Sequence, residues 1–171
     1  MIGVSFGEGF ADRFRHCPGT GIQLPRVSTI AANRSEMAAD SQSTAGATKS
    51  HTPRPKVQRI NGHLVAAVGK TDAIPAFFEW YEKGRSEDDR PELGESFEAL
   101  TLTPEGLFQY YERLEPIGIV EDFWAIGQGS DIALGAMAAG ASPKRAVEIA
   151  CELNIYTGPP VVVERLQEQE A

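Results

Sequence analysis

Cysteine is scarce in this chain. Cys17 and Cys151 are the only two in 171 residues, and they form no C-x-x-C. That excludes a disulfide-stapled secreted module, and both read as free thiols in a reducing cytoplasm. Histidine is equally sparse. His16, His51 and His63 stand apart, none at metal-ligand spacing from another histidine or cysteine. No metal and no other cofactor is therefore expected. No apolar run approaches the roughly 20 residues of a membrane helix. The start lacks a basic stretch followed by an apolar core, so it does not read as a secretory signal. Positive charge is the minority, with 16 Lys and Arg against 24 Asp and Glu and a net charge of -8. An acidic chain without a Lys/Arg run has no broad basic face, so neither nucleic acid nor membrane is expected as a partner.

What remains is ordinary globular composition, 42% hydrophobic and 23% charged, at a length that suits one domain. Residues 1–27 carry glycines and prolines without a sustained period. They read as an extension, a propeptide or a start placed too early. From Ser28 the pattern becomes regular. Residues 28–32 and 36–39 suggest a strand hairpin, and the Ser/Thr/Ala/Gly/Pro-rich residues 41–55 a loop. Residues 56–60 and 63–68 flank Asn61-Gly62, the strongest short hairpin signal. Asp72 then caps a helix whose Ile74, Phe77, Phe78 and Tyr81 share one face and which Gly84 ends. Residues 97–102 and 107–111 flank Thr103-Pro104-Glu105-Gly106 as another hairpin, and 123–126 is a further strand. Two helices follow. Ser130 is expected to cap the first and Gly140 to stop it. Ser142 and Pro143 open the second, with Ala146, Val147, Ala150 and Leu153 as its apolar face. Residues 160–165 form a last strand. Clustered strands with paired helices predict an α+β fold.

Four motifs stand in order along this frame: Ser28-Thr29-Ile30-Ala31 with Met37-Ala38-Ala39-Asp40-Ser41, Val65-Ala66-Ala67-Val68-Gly69, Ala125-Ile126-Gly127-Gln128-Gly129-Ser130 with Ala133-Leu134-Gly135, and Asn154-Ile155-Tyr156-Thr157-Gly158. Together they resemble the proteasome β-type subunits and the bacterial HslV peptidase, over residues 28 to about 166. The chain looks like the small phage- and bacteria-type relatives. The resemblance implies an N-terminal-nucleophile (Ntn) hydrolase fold, a four-layer sandwich of two antiparallel sheets between helix layers, built by residues 28–171. It implies a threonine/serine-type peptidase that acts on peptides or unfolded protein. It further implies rings of identical subunits that enclose the sites, and an ATP-dependent unfoldase as partner.

Such a site needs a hydroxyl and a free α-amine on one residue. The amine, with a reference pKa of about 7.7–8.0, takes the hydroxyl proton. Ser28 lies where the family's threonine sits; read alone, it is a plain strand-opening serine. Lys56 matches the buried lysine whose charge disfavours protonation of the amine, and Asp40 the aspartate that pairs with it. Gly69 matches the glycine whose N–H faces the oxyanion. Ser43 and Arg54 fall near substrate-pocket positions. Gln128, Asn154 and Thr157 stand at supporting positions where the family more often has serine, aspartate and serine. Glutamine cannot shuttle a proton as a hydroxyl can.

Ser28 acts only if its nitrogen is free. Self-cleavage after Val27 would free it. So would translation from residue 27 with loss of the initiator Met, and the absence of glycine at 27 favours that route. Two alternatives stay open: a non-catalytic structural subunit of the same fold, and an Ntn amidase for small amides.

Overall fold

The computed structural model describes residues 28–45, 48–51 and 54–167. The expectations for residues 1–27, including Cys17, His16 and the junction at Val27, lie outside the described residues.

The chain opens with β1 (Thr29–Asn33) and β2 (Glu36–Ala39), antiparallel, with Ile30 opposite Ala39 and Ala31 opposite Ala38. The Asn33 carboxamide makes the turn. Its oxygen accepts from the N–H groups of Ser35 at 2.9 Å and Glu36 at 2.8 Å. β3 (Gln42–Ala45) and β4 (Thr48–His51) pair only with each other. β5 (Val57–Ile60) and β6 (His63–Val68) turn at Asn61 and Gly62. Their φ angles are +53° and +81°, the left-handed pair that a two-residue hairpin of this twist requires.

α1 (Ala73–Glu82) follows, with the Asp72 carboxylate accepting from the Ala73 N–H. β7 (Glu98–Thr103), β8 (Gly106–Tyr110), β9 (Ile117–Ile119) and β10 (Phe123–Gly127) lead to α2 (Ser130–Ala138) and α3 (Pro143–Leu153). β11 (Val162–Arg165) closes the order.

The strands form two larger antiparallel sheets, β10-β1-β2-β11 and β5-β6-β7-β8-β9. Strand alternation divides the side chains among three cores. Ile30, Ala32, Met37 and Ala39 of the first sheet pack with Val57, Leu64, Ala66, Val68, Leu100 and Leu102 of the second. The intervening Ala31, Ala38 and Ala125 meet Ala133 and Met137 of α2 and Ala146 and Val147 of α3. Small side chains on that face let the helices approach closely. Val65, Ala67 and Ala99 meet α1 through Phe77, Phe78, Trp80 and Tyr81. Phe77 anchors this core, its ring centroid 5.1 Å from Phe97 and 5.6 Å from Tyr110. Among the described residues no helix is long and apolar enough to cross a membrane.

Three expectations are corrected, and one strand is added. Residues 41–55 are not one loop, because they hold the β3–β4 hairpin. Its four β4 residues are all exposed, so backbone pairing forms it without an apolar alternation for the sequence to display. Ser130 does not cap α2. Gly129 is the N-cap, with no side-chain cap bond. Leu153 leaves the apolar face of α3 and is 69% exposed. β9 was not anticipated; it is three residues long and mostly exposed at a sheet edge.

Candidate active site

Asp40 directly follows β2 and is fully buried. Its Oδ1 accepts from the Thr29 N–H at 2.9 Å and from Lys56 Nζ at 2.8 Å. Its Oδ2 accepts from the N–H groups of Gln42 and Gly158, each at 3.1 Å. All four contacts are donors, the set that an ionised carboxylate accepts. A buried charge without such partners would be costly.

Lys56 stands just before β5 and is 8% exposed. Besides Asp40 it donates to the Gln42 carbonyl at 2.6 Å. Burial pulls its pKa below the usual 10.5, while the charge and hydrogen bond of Asp40 and the neighbouring Cys151 pull it back part of the way. Cys151, on α3, is a free thiol pushed up to about 11 by burial first and by Asp40 second.

Ser28 precedes β1 and is 3% exposed. Its carbonyl accepts from the Gln128 N–H at 2.8 Å. Behind that carbonyl lies Gly127, at φ +92°, where any side chain would run into the Ser28 oxygen. The same missing side chain would come within 3.4 Å of Val68 Cγ1, so the end of β6 shares this corner. Gly69 follows directly, half-buried and at φ +151°. Ser28 itself has φ +150°, a sterically strained value for a residue with a side chain.

Thr29 completes the corner. Its hydroxyl lies 2.7 Å from that of Thr157 and accepts from the Gly129 N–H at 3.0 Å. Gly129 has no room for a side chain, which would collide with Thr29 Oγ1. Asn154, at the end of α3, donates from Nδ2 to the Gln128 carbonyl at 3.1 Å and accepts at Oδ1 from Tyr156 N–H at 2.8 Å.

One hydrogen-bond network thus joins Ser28, Asp40, Lys56, Gln128, Asn154 and Thr157, while Gly69 adjoins it through Val68. The side chain of Gln128 is exposed, and the bonds above use only its backbone. Ser43 and Arg54 are not joined by these bonds. Ser43 stands on β3 opposite Ser50, and Arg54 is exposed between β4 and β5. Two members of the network were not expected from sequence. Thr29 looked like a plain strand residue, and Gln42 lay in the presumed loop. No local signal marks Gln42, because β2 ends at Ala39 and β3, which begins at Gln42, belongs to a different sheet.

The Asn154 contact explains one departure from the family pattern. A carboxylate there has no proton to give the Gln128 carbonyl and would set negative charge against it. The bond is solvent-exposed, so Asn154→Asp is expected to destabilise the fold by about 0.5–1.5 kcal/mol. Urea melts of the two proteins test this, and an unchanged midpoint would remove the contact from the network.

No family model matches the chain, and no curated protein does. Solved structures do match. Thiobacillus denitrificans BPH is 22% identical, covering 83% of this chain and 99% of its own, with a TM-score of 0.60. BPH in complex with epoxomicin is 20% identical, covering 82% and 99%, with a TM-score of 0.59. HslV from Trypanosoma brucei is 19% identical, covering 82% and 99%, with a TM-score of 0.66. At these identities the likeness establishes the fold: the chain is similar in fold to HslV and to BPH, as its four motifs led one to expect.

Proposed function

We propose that the protein is a serine-type N-terminal-nucleophile peptidase whose working chain begins at Ser28. The carrying observation is the buried Lys56–Asp40 pair, hydrogen-bonded through Asp40 to the backbone of the residue after Ser28. The three cores support helix–sheet–sheet–helix layering, the Ntn order.

In the reaction, the Ser28 amine accepts the hydroxyl proton as Oγ attacks the peptide carbonyl carbon. The Gly69 N–H faces the resulting oxyanion. Two of the three Lys56 protons are engaged by Asp40 and Gln42, which leaves one for the Ser28 oxygen. Its charge keeps the amine from holding a proton before attack. The protonated amine then gives its proton to the leaving amine, and an ester to Ser28 forms. Water, deprotonated by the same amine, cleaves that ester and restores Ser28.

Following the resemblance, identical subunits close a ring around the sites, an ATP-dependent unfoldase feeds them, and Ser43 and Arg54 help line the pocket. Arg54 would favour acidic side chains. Gln128 in place of a hydroxyl favours a second reading, a non-catalytic subunit. The test is N-terminal sequencing of the natively expressed protein together with fluorogenic-peptide turnover, with and without epoxomicin. A Ser28 terminus and turnover that epoxomicin stops are expected. Met1 at the terminus of a fully active preparation would sink the mechanism. A Ser28 terminus without turnover would favour the non-catalytic subunit. Cleavage of small amides but not peptides would make it an amidase.

A further inference from the structure

We propose that Gln42 is a positioning residue that fastens the 154–158 loop to the Lys56 ammonium, so that docking of the loop and placement of the cation become one event. Gln42 is 5% exposed and engages both partners at once. Its backbone N–H donates to Asp40 and its carbonyl accepts from Lys56. Its side-chain Nε2 donates to the Ile155 carbonyl at 2.9 Å.

The loop is shaped to receive it. Gly158 has no side chain, and one there would collide with Gln42 Oε1 and come within 3.2 Å of Gln42 Cβ. That close approach lets the Gly158 N–H reach Asp40 and its carbonyl accept from the Ser41 N–H at 3.1 Å. Thr157, next to it, reaches Thr29.

Besides Gln42, the loop is held by Asn154 to Gln128, Thr157 to Thr29 and Gly158 to Asp40 and Ser41, and the Gln42 amide is the side-chain tie that reaches it from the Lys56 side. Residues 154–158 form neither helix nor strand, and Ile155 is 68% exposed. Without the Gln42 amide, the Ile155 segment of the loop loosens, the Gly158 N–H draws back from Asp40, and water reaches Lys56. The charged and titratable groups facing Lys56 are Asp40, just after β2, and Cys151 from α3. The Ser28 amine joins them if the peptidase reading holds. Re-solvating Lys56 removes the main cause of its lowered pKa. It also weakens the cation's hold on the Ser28 amine, and this catalytic consequence rests on the proposed function.

Gln42→Leu keeps the bulk and removes the donor. Gly158→Ala attacks the same contact from the other side. The first measurement is a 13C NMR titration of Lys56 Cε in the full chain. Its midpoint is expected below 10.5 in the wild type and to rise toward 10.5 in Gln42→Leu. The second is the pH profile of peptide turnover. The acidic limb of kcat/KM is expected to move up toward about 7.7–8.0, with kcat down on the order of tenfold to a hundredfold and KM unchanged. A residue with only a scaffolding role would lower the melting temperature and leave both profiles in place. A folded Gln42→Leu with wild-type Lys56 titration overturns the proposal. If Gln42→Leu does not fold, the same two results are read from Gly158→Ala. If the wild type turns over no peptide, the peptidase reading fails while the titration still decides the role of Gln42.

Discussion

Ser28→Ala is expected to abolish peptide hydrolysis while leaving the fold intact. The substitution deletes one oxygen from a residue that precedes β1. The contacts that anchor this end of the strand are not made by that oxygen. The Ser28 carbonyl still accepts from Gln128, and Thr29 still meets Asp40, Thr157 and Gly129. The melting temperature should therefore move little. Losing a nucleophile that attacks directly costs on the order of 10⁴–10⁶-fold in kcat. Turnover of a fluorogenic peptide within tenfold of the wild type would show that Ser28 is not the nucleophile.

Lys56→Met is expected to abolish activity as well, and here stability should suffer. The methionine keeps most of the stem and removes the charge. Asp40 remains fully buried without its cation, and the Gln42 carbonyl loses a donor. Breaking one side of a buried pair costs about 3–5 kcal/mol. If Asp40 did nothing but balance Lys56, removing it too would restore stability. The geometry argues otherwise, because Asp40 also satisfies the N–H groups of Thr29, Gln42 and Gly158. Lys56→Met with Asp40→Ala is therefore expected to be no more stable than Lys56→Met alone. Thermal melts on both variants beside a peptidase assay decide this. Full recovery in the double variant would show that the three backbone donors find other acceptors.

Lys56 also gives a pH signature. Its folded pKa lies below 10.5, so between the two values the unfolded chain binds more protons than the folded one. Stability therefore rises with pH through that window, and Lys56→Met lacks the rise. Burial raises Tyr81 from 10.0 to about 12 and Cys151 from 9.0 to about 11. Both lower stability as pH climbs through those ranges. Tyr81 is common to wild type and variant and cancels in the difference, whereas Cys151 feels the Lys56 charge, so the comparison is made with Cys151→Ser in both proteins, where the difference between the two melting curves isolates Lys56.

The sequence disclosed what local chemistry decides. Asn61-Gly62 announced its hairpin because few other pairs adopt two positive φ angles in succession. The Asp72 cap and the spacing of Phe77, Phe78 and Tyr81 announced α1 for the same kind of reason. Asp40 and Lys56, read from the resemblance, do meet as a buried pair. Other features depend on distant partners and were hidden. Thr29 and Thr157 are 128 residues apart, and nothing local marks either as half of a buried hydroxyl pair. Ser130 looked like a cap, yet Gly129 is the N-cap, and its fit against Thr29, 100 residues away, leaves no local mark. The β3–β4 hairpin is polar on both faces, so it concealed Gln42 inside what read as a loop. Asn154 read only as a departure from the family's usual aspartate, whereas its amide supplies the Gln128 carbonyl with a donor that a carboxylate lacks.

The most direct test concerns the free amine of Ser28. The protein is produced in two forms, one whose first residue is Ser28 and one that retains residues 1–27 uncut, with intact mass confirming each. Both are assayed against the same fluorogenic peptide at the same pH. Turnover by the Ser28-first form alone, at least about a thousandfold above the extended form, is the expected result, because a peptide nitrogen cannot accept the hydroxyl proton. Equal turnover by the two forms would contradict the N-terminal-nucleophile mechanism.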